Sequence, residues 1–259
     1  MIYLKNKKDK YWFSLLTNPL ARVLKFKHLY GYLNSFANGG YVLDYGSGDR
    51  PYEKMLLRKF NKYIAVDYIP TSKKFCKKPD IYINSSELPF LSNVIDCIVF
   101  TEVMHYLYDP KIVVAELYRI LKPGGKLIGS VPFAFGEDDP PNDFYRYTYF
   151  SLKKIFEDAC FEIINIEYVG DMIGVYIVTT YNILYLIIKL FRKIKLGFLG
   201  LITNIFFKIP EYIYYYCYIR GIKPKKFNYL RKFPLGFTFY LEKKSIYPQF
   251  HSLKINMGL

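Results

Sequence analysis

The chain is poor in histidine, cysteine and acid. Three histidines in 259 residues leave few ligands for a histidine-built metal centre, and no metal cluster is expected from them. The four cysteines, Cys76, Cys97, Cys160 and Cys217, are widely scattered and form no CxxC. Neither a zinc site nor a disulfide framework is expected. Cys97 and Cys160 lie in apolar runs and read as small core residues. Reduced thiols fit a cytoplasmic location. The N-terminal segment carries Lys5, Lys7, Lys8 and Lys10 but no apolar stretch followed by a small-residue cleavage site. It does not read as a secretory signal. Acid is short by a wide margin: 22 Asp and Glu stand against 37 Lys and Arg, a net charge of +15. From Asp171 onward, fourteen basic residues face only three acidic ones. The C-terminal third is therefore expected to meet something anionic, or else to present a solvated basic face.

What the chain has in excess is apolar and aromatic surface. Hydrophobic residues make up 52%, and there are 28 Tyr and 22 Phe. That suffices for a full core and argues against global disorder. Residues 1 to 40 read as a helical cap. From 41 to about 170, strands predicted at 41–45, 63–67, 80–83, 94–100, 125–131 and 161–169 alternate with helices near 51–60, 110–121 and 151–159. Asp109-Pro110 caps the second helix and Ser151 is placed to cap the third. Near-continuous apolar strands such as Ile95–Phe100 mean a parallel sheet covered on both faces. Residues 171–234 interrupt this rhythm. Phe237–Leu241 then reads as a last strand, within a final segment of 235–259.

The first motif is Val42-Leu43-Asp44-Tyr45-Gly46-Ser47-Gly48. A buried strand ends in a turn where Gly46 and Gly48 let the backbone come close to a ligand. A helix predicted from Pro51 would offer free N–H donors. The next strand ends in Asp67, about 20 residues on, where an acid accepts from ribose hydroxyls in nucleotide-binding βαβ units. Together these mean a small ligand carrying a ribose. A nicotinamide dinucleotide would need a third glycine three residues after Gly48, and that residue is Pro51.

The second motif runs Asn84-Ser85-Ser86-Glu87-Leu88-Pro89-Phe90, then Ile95 to Pro110, then Glu116 to Gly125 with its Leu-Lys-Pro-Gly-Gly turn. With these segments in this order, the chain resembles the class I S-adenosylmethionine-dependent methyltransferases, in particular the bacterial group that acts on small molecules, lipids and sugars. The resemblance covers about residues 41–135. It implies a doubly wound seven-stranded Rossmann-like α/β sheet, here with an N-terminal helical cap and a helical insert before the last strand. It also implies the cofactor S-adenosylmethionine. Asp44, Gly46, Ser47 and Gly48 would cradle its methionine part, and Asp67 would hold the ribose. Tyr68 would pack beside the adenine. Asn84 stands where the family usually places an aspartate for the adenine amino group, with Ser85 next to it. Thr101 and Glu102 would line the reactive side. Arg50 departs from the family, many of whose members carry a third glycine there.

The segment Pro140 to Thr148 follows the fifth strand, at the sheet edge where ligands bind in open α/β folds. It resembles a signature of methyltransferases associated with surface polysaccharides. Asp143 could accept from a substrate hydroxyl, and Arg146 could bind an acidic or phosphate group. Alternatively, the two form an ion pair that only holds the loop. His105 is the histidine nearest the expected site. It reads as a general base for O-methyl transfer or as a residue that merely packs beside the cofactor.

Residues 171–234 combine a 17-residue uncharged run, Met172 to Ile188, with a basic cluster at Lys189, Arg192, Lys193 and Lys195. The run is at the lower limit for crossing a bilayer. The preferred reading is an interfacial helix on an anionic membrane, which would make the protein peripheral at the inner membrane face. A substrate lid or a dimer face are the alternatives. No RNA-binding module is present, so nucleic acid is a minor option. The sequence thus points to a methyltransferase that O-methylates a small acceptor such as a sugar, lipid-linked glycan or lipid. A non-catalytic membrane-surface or assembly protein on the same scaffold is the alternative.

Overall fold

The structure is a computed structural model that describes residues 20–36, 39–68, 75–83, 86–138, 140–180, 183, 197–221, 230 and 232–244. Seven strands form one sheet: β1 (Tyr41–Tyr45), β2 (Lys62–Tyr68), β3 (Ile81–Ile83), β4 (Ile95–Thr101), β5 (Leu121–Pro132), β6 (Phe161–Val169) and β7 (Gly236–Lys243). Their order is β3-β2-β1-β4-β5-β7-β6. Strands β1 to β5 run parallel, and β7 lies antiparallel between β5 and β6. The expected seven-stranded Rossmann-like fold is the observed one.

Alternation along the strands builds two cores. Leu43, Ile98, Phe100 and Leu127 face one side, where they meet α3 (Pro110–Ile120) and α4 (Tyr149–Asp158). Val42, Cys97, Val99 and Ile128 face the other, against Leu29 and Leu33 of α1 (Leu20–Asn34) and Leu56 of α2 (Glu53–Leu56). Both faces are covered, as the apolar strands required. A third cluster joins Leu20, Val23 and Leu24 at the start of α1 to Val178 and to Tyr215 of α5 (Gly197–Ile219). The insert is thereby packed onto the N-terminal helix.

Several local expectations shift. The helix expected over 51–60 shrinks to Glu53–Leu56, because the backbone on either side closes into tighter i→i−3 bonds such as Met55 N–H to Tyr52 O and Lys59 N–H to Leu56 O. Thr148, not Ser151, caps α4; its hydroxyl accepts from the Ser151 amide at 3.3 Å. Asp109 caps α3 as expected. Strand β5 starts at Leu121, earlier than expected. Its pairing with β4 jumps from Ile95–Leu121 to Cys97–Lys126, so the Lys-Pro-Gly-Gly turn is accommodated as an irregularity within the strand. Cys97 is buried as expected, but Cys160 is exposed, in a positive-φ turn just after α4.

Strand β7 closes the core although the long insert precedes it. Phe239 is fully buried and packs against Phe156 at 4.8 Å between ring centroids and against Phe100 at 6.5 Å. Phe239→Ala is expected to cost about 3–5 kcal/mol. Urea denaturation followed by far-UV circular dichroism checks this, and an unchanged midpoint would mean that β7 is not part of the cooperative core.

Candidate active site at the carboxyl edge of the sheet

The glycine turn leaves β1 at the carboxyl edge. Gly46 (φ +74°) and Gly48 (φ +49°) are left-handed. A Cβ on Gly46 would sit 2.2 Å from the Val103 Cγ2, so only glycine fits there. The turn is tied to β2: the amides of Gly46 and Ser47 donate to Val66 O at 2.8 and 3.1 Å. The Gly48 amide donates to the Asp67 carboxylate at 2.8 Å, and the Tyr68 amide donates to its other oxygen at 2.7 Å. Asp67 is buried at the end of β2, oriented by these two backbone donors. Asp44 is buried below the turn and accepts from the Tyr63 hydroxyl at 2.7 Å. The Ser47 hydroxyl is buried and, among the described residues, finds no hydrogen-bond partner.

Strand β4 ends beside this turn. Thr101 is buried opposite Ser130 of β5. Glu102 follows with φ +55°, a conformation uncommon outside glycine. Its amide donates to Ser130 O at 2.8 Å. Its carboxylate accepts from the Ser130 hydroxyl at 2.6 Å and pairs with Lys25 Nζ at 2.7 Å. Burial alone would raise the Glu102 carboxyl, but the Lys25 ammonium and the Ser130 hydroxyl overcome it, and the net shift is downward. Lys25 comes from α1 and is itself buried. The sequence offered no signal for it: it is one lysine among many in a helix outside the motif-bearing region. Ser130 was missed for a similar reason, as a small residue inside an apolar strand.

His105 sits on a 3₁₀ turn (Met104–Tyr106) directly after β4. It is buried, and its Nδ1 finds no partner among the described residues. Burial pushes its pKa down to about 4, against the attraction of Glu102 and Asp143. The imidazole is therefore neutral at pH 7 and only weakly basic. The Pro140–Thr148 loop hangs from this residue: the amides of Phe144 and Tyr145 donate to His105 O at 2.9 and 3.3 Å.

Asp143 and Arg146 form a two-pronged ion pair at 2.5 and 2.6 Å. The Asp138 amide also donates to Asp143, at 2.8 Å. Arg146 further donates to the carbonyls of Phe135, Tyr145 and Gly136. All five of its N–H groups are thus engaged. The Arg146 hydrogen bonds, outweighing partial burial, hold the Asp143 carboxyl down at about 2. These two residues hold the loop, the alternative role open to them.

Arg50, which stands in place of a glycine, has φ +53°. Its guanidinium reaches Asp80 at 2.7 Å and Glu53 at 3.3 Å and donates to Lys78 O, so it staples the cofactor turn to the approach to β3. Tyr68 is half exposed at the end of β2. Asn84 and Ser85 lie outside the described residues. The Leu88–Phe90 segment is fastened to α3, with the Leu88 amide on Glu116 at 2.7 Å and Arg119 donating to Phe90 O at 2.9 Å.

The arrangement fits S-adenosylmethionine, the cofactor of the family that the chain resembles. Two buried polar atoms without partners among the described residues, Ser47 Oγ and His105 Nδ1, lie at the same sheet edge as an oriented acid, Asp67, and a turn too close-packed for any side chain at Gly46. Asp67 would hold a ribose, and the 46–48 turn would hold the amino-acid end.

Burial pushes the Asp44 carboxyl up to about 7, against the Tyr63 hydrogen bond, with Asp67 adding to the rise. Its folded pKa lies above its ordinary value of 3.8. Its contribution to stability is therefore full below about pH 4 and is lost as pH climbs through 7. Asp44→Asn should gain stability relative to the parent between pH 4 and 7 and hold that gain above 7. Urea midpoints across that range check this; a constant difference between the two proteins would refute the shift.

The comparisons agree with this geometry. A family model described as a methyltransferase domain matches residues 43–129. The chain is 27% identical over 179 residues to a protein of Mycolicibacterium smegmatis named "Probable S-adenosylmethionine-dependent methyltransferase", covering 65% of this chain and 63% of that protein. The chain thus spans less than two thirds of that relative's length. Among solved structures, a S-adenosylmethionine-dependent methyltransferase from Archaeoglobus fulgidus matches with TM-score 0.53 at 16% identity, covering 86% of this chain and 94% of that one. The [4+2]-cyclase SpnF matches with TM-score 0.51 at 14% identity, covering 86% and 82%. At such identities these structures speak for the fold alone. Fold, motif geometry and the match over residues 43–129 together support a methyltransferase domain of the class I S-adenosylmethionine-dependent type.

Proposed function

We propose that the protein transfers the methyl group of S-adenosylmethionine to a hydroxyl of a small acceptor such as a sugar, lipid-linked glycan or lipid. The observation that carries this reading is the glycine turn locked to Asp67 with the unpartnered Ser47 Oγ beside it. When bound, the cofactor supplies a methyl group on a positively charged sulfur. The chain's part is to hold and orient. Asp67 and the 46–48 turn fix the donor end, and Glu102, kept ionised by Lys25, sits at the end of β4. Neutral His105 offers a buried nitrogen that can accept a hydrogen bond from a hydroxyl. Alignment alone supplies much of the acceleration in such transfers, so a strong base is not required. Isothermal calorimetry with S-adenosylhomocysteine should give binding that weakens at least about tenfold in Asp67→Ala, since hydrogen bonds to a charged group contribute about 1.5–3 kcal/mol. Absence of binding at millimolar ligand would sink the reading.

A second reading, a non-catalytic protein on the same scaffold, draws on one observation: Asp143 and Arg146 are spent on each other. Methyl transfer from labelled cofactor to any cell-extract fraction would exclude it.

We also propose that the insert rests on an anionic membrane, which would put the protein at the inner face of the cytoplasmic membrane. No helix among the described residues is long and apolar enough to cross one. Support comes from α5, where Ile209, Ile213 and Tyr216 form one exposed stripe while Lys208, Glu211 and Tyr215 are buried opposite. Met172, Ile173 and Tyr176 add further exposed apolar surface. The Lys189–Lys195 cluster lies outside the described residues. At low salt the protein should float with anionic liposomes, and Ile213→Asp with Tyr216→Asp should reduce the floated fraction at least about threefold. A parent protein that stays at the bottom of the gradient refutes the idea.

A further inference from the structure

The mouth of the site carries exposed aromatic rings. Tyr108 is 81% exposed, Phe144 43% and Tyr145 40%. These rings are contiguous. Tyr108 and Phe144 meet edge-on at 5.7 Å between centroids, and Phe144 and Tyr145 lie 6.3 Å apart. The Tyr145 hydroxyl donates to Tyr108 O at 3.0 Å, which binds the two segments together. The platform is anchored to the candidate active site, because the amides of Phe144 and Tyr145 both rest on His105 O. Three aromatic rings held this far into water by backbone hydrogen bonds form an apolar patch rimmed by polar groups, the usual mark of a binding surface.

Charge decides what that surface can take. Arg146 spends all five of its N–H groups within its own loop. Lys25 is paired with Glu102. His105 is neutral at pH 7. Among the described residues, the exposed charges bordering the mouth are Glu137 and Asp138 in the loop and Asp109 and Lys111 at the start of α3, three carboxylates and one ammonium. The mouth is thus acidic in a chain whose net charge is +15. A phosphate or carboxylate brought here would lose part of its water and meet more carboxylates than cations. An uncharged polyhydroxyl ring would meet carboxylates able to accept its hydroxyl protons. Its C–H face would meet the negative faces of the aromatic rings. Buried beside the platform, His105 Nδ1 still lacks a donor.

We propose that the acceptor is an uncharged pyranose-type ring. It packs its C–H face against the Tyr108–Phe144–Tyr145 cluster and directs one hydroxyl toward His105, and the same mouth disfavours phosphorylated or carboxylated sugars. This rests on the methyltransferase reading and narrows its acceptor. The test is saturation-transfer difference NMR on the full chain saturated with S-adenosylhomocysteine, using methyl pyranosides, a glucuronide and a sugar phosphate as probes. Neutral pyranosides should receive saturation at their ring C–H protons. The anionic probes should bind at least about tenfold more weakly. Tyr108→Ala and Phe144→Ala should each weaken the neutral probes about tenfold while calorimetric affinity for S-adenosylhomocysteine stays within about twofold. Equal or tighter binding of the anionic probes overturns the inference, as does binding of the neutral probes that survives both substitutions. If S-adenosylhomocysteine binds and no neutral pyranoside does, this inference fails alone. If S-adenosylhomocysteine does not bind, the methyltransferase reading fails with it.

Discussion

The hydrogen bond from the Gly48 amide to the Asp67 carboxylate, 2.8 Å long, is the contact on which the site depends. It joins the turn after β1 to the end of β2, two points that the parallel pairing of those strands already brings side by side. A charged acceptor makes it stronger than an ordinary backbone bond, at about 1.5–3 kcal/mol. Together with the Gly46 and Ser47 amides on Val66 O, it fixes the left-handed turn relative to the acid that would hold a ribose. The Arg50 staple acts on the same turn from its other side, linking it to Asp80, whose second carboxylate oxygen accepts the Ala65 amide at 2.8 Å. Turn, β2 and the approach to β3 therefore form one pre-organised unit.

A second polar unit governs the opposite side of the site. Glu102 adopts a left-handed backbone that costs energy for any residue with a side chain. The cost is met by three contacts: its amide on Ser130 O, its carboxylate on the Ser130 hydroxyl, and its ion pair with Lys25. Lys25 belongs to α1, so a helix that lies outside the family match completes the cofactor-facing edge. The same helix binds the insert through Leu20, Val23 and Leu24. Anything that moves the insert acts on α1, and α1 is tied to Glu102. The domain boundaries at 40 and 171 are boundaries of sequence pattern; the packing runs across both.

Local pattern carried the sheet in the sequence. Strand alternation and the Asp109-Pro110 cap fixed β4, α3 and β6 to within a residue or two; for β4, burial on both faces leaves little choice of register. The cofactor turn was legible because glycine at 46 and 48 and acid at 67 are demanded by backbone shape and ribose chemistry. What stayed hidden depends on long-range pairing. Lys25 meets Glu102 across 77 positions, and Ser130 meets it across 28. No local spacing reports such contacts. Arg146 was readable as a cation but not as a saturated one, since its partners are mostly backbone carbonyls, which every sequence supplies equally.

That last point changes how the chain's basic character bears on its chemistry. A net charge of +15 invites an anionic acceptor. Charge acts on a ligand only where it is uncommitted and within about a Debye length, roughly 8–10 Å. At the carboxyl edge of the sheet three cations are consumed in holding the architecture, Lys25 on Glu102, Arg146 on Asp143 and Arg50 on Asp80. Much of the surplus lies in the C-terminal third, around the insert. The sequence thus places most of its surplus charge in a different part of the chain from the site. In the readings proposed above, the basic C-terminal third serves an anionic sheet of headgroups, while an aromatic mouth with more carboxylates than cations takes a neutral ring. An enzyme that works on a glycan held at a membrane needs both properties at once, with the attraction to the surface kept apart from the selection of the acceptor.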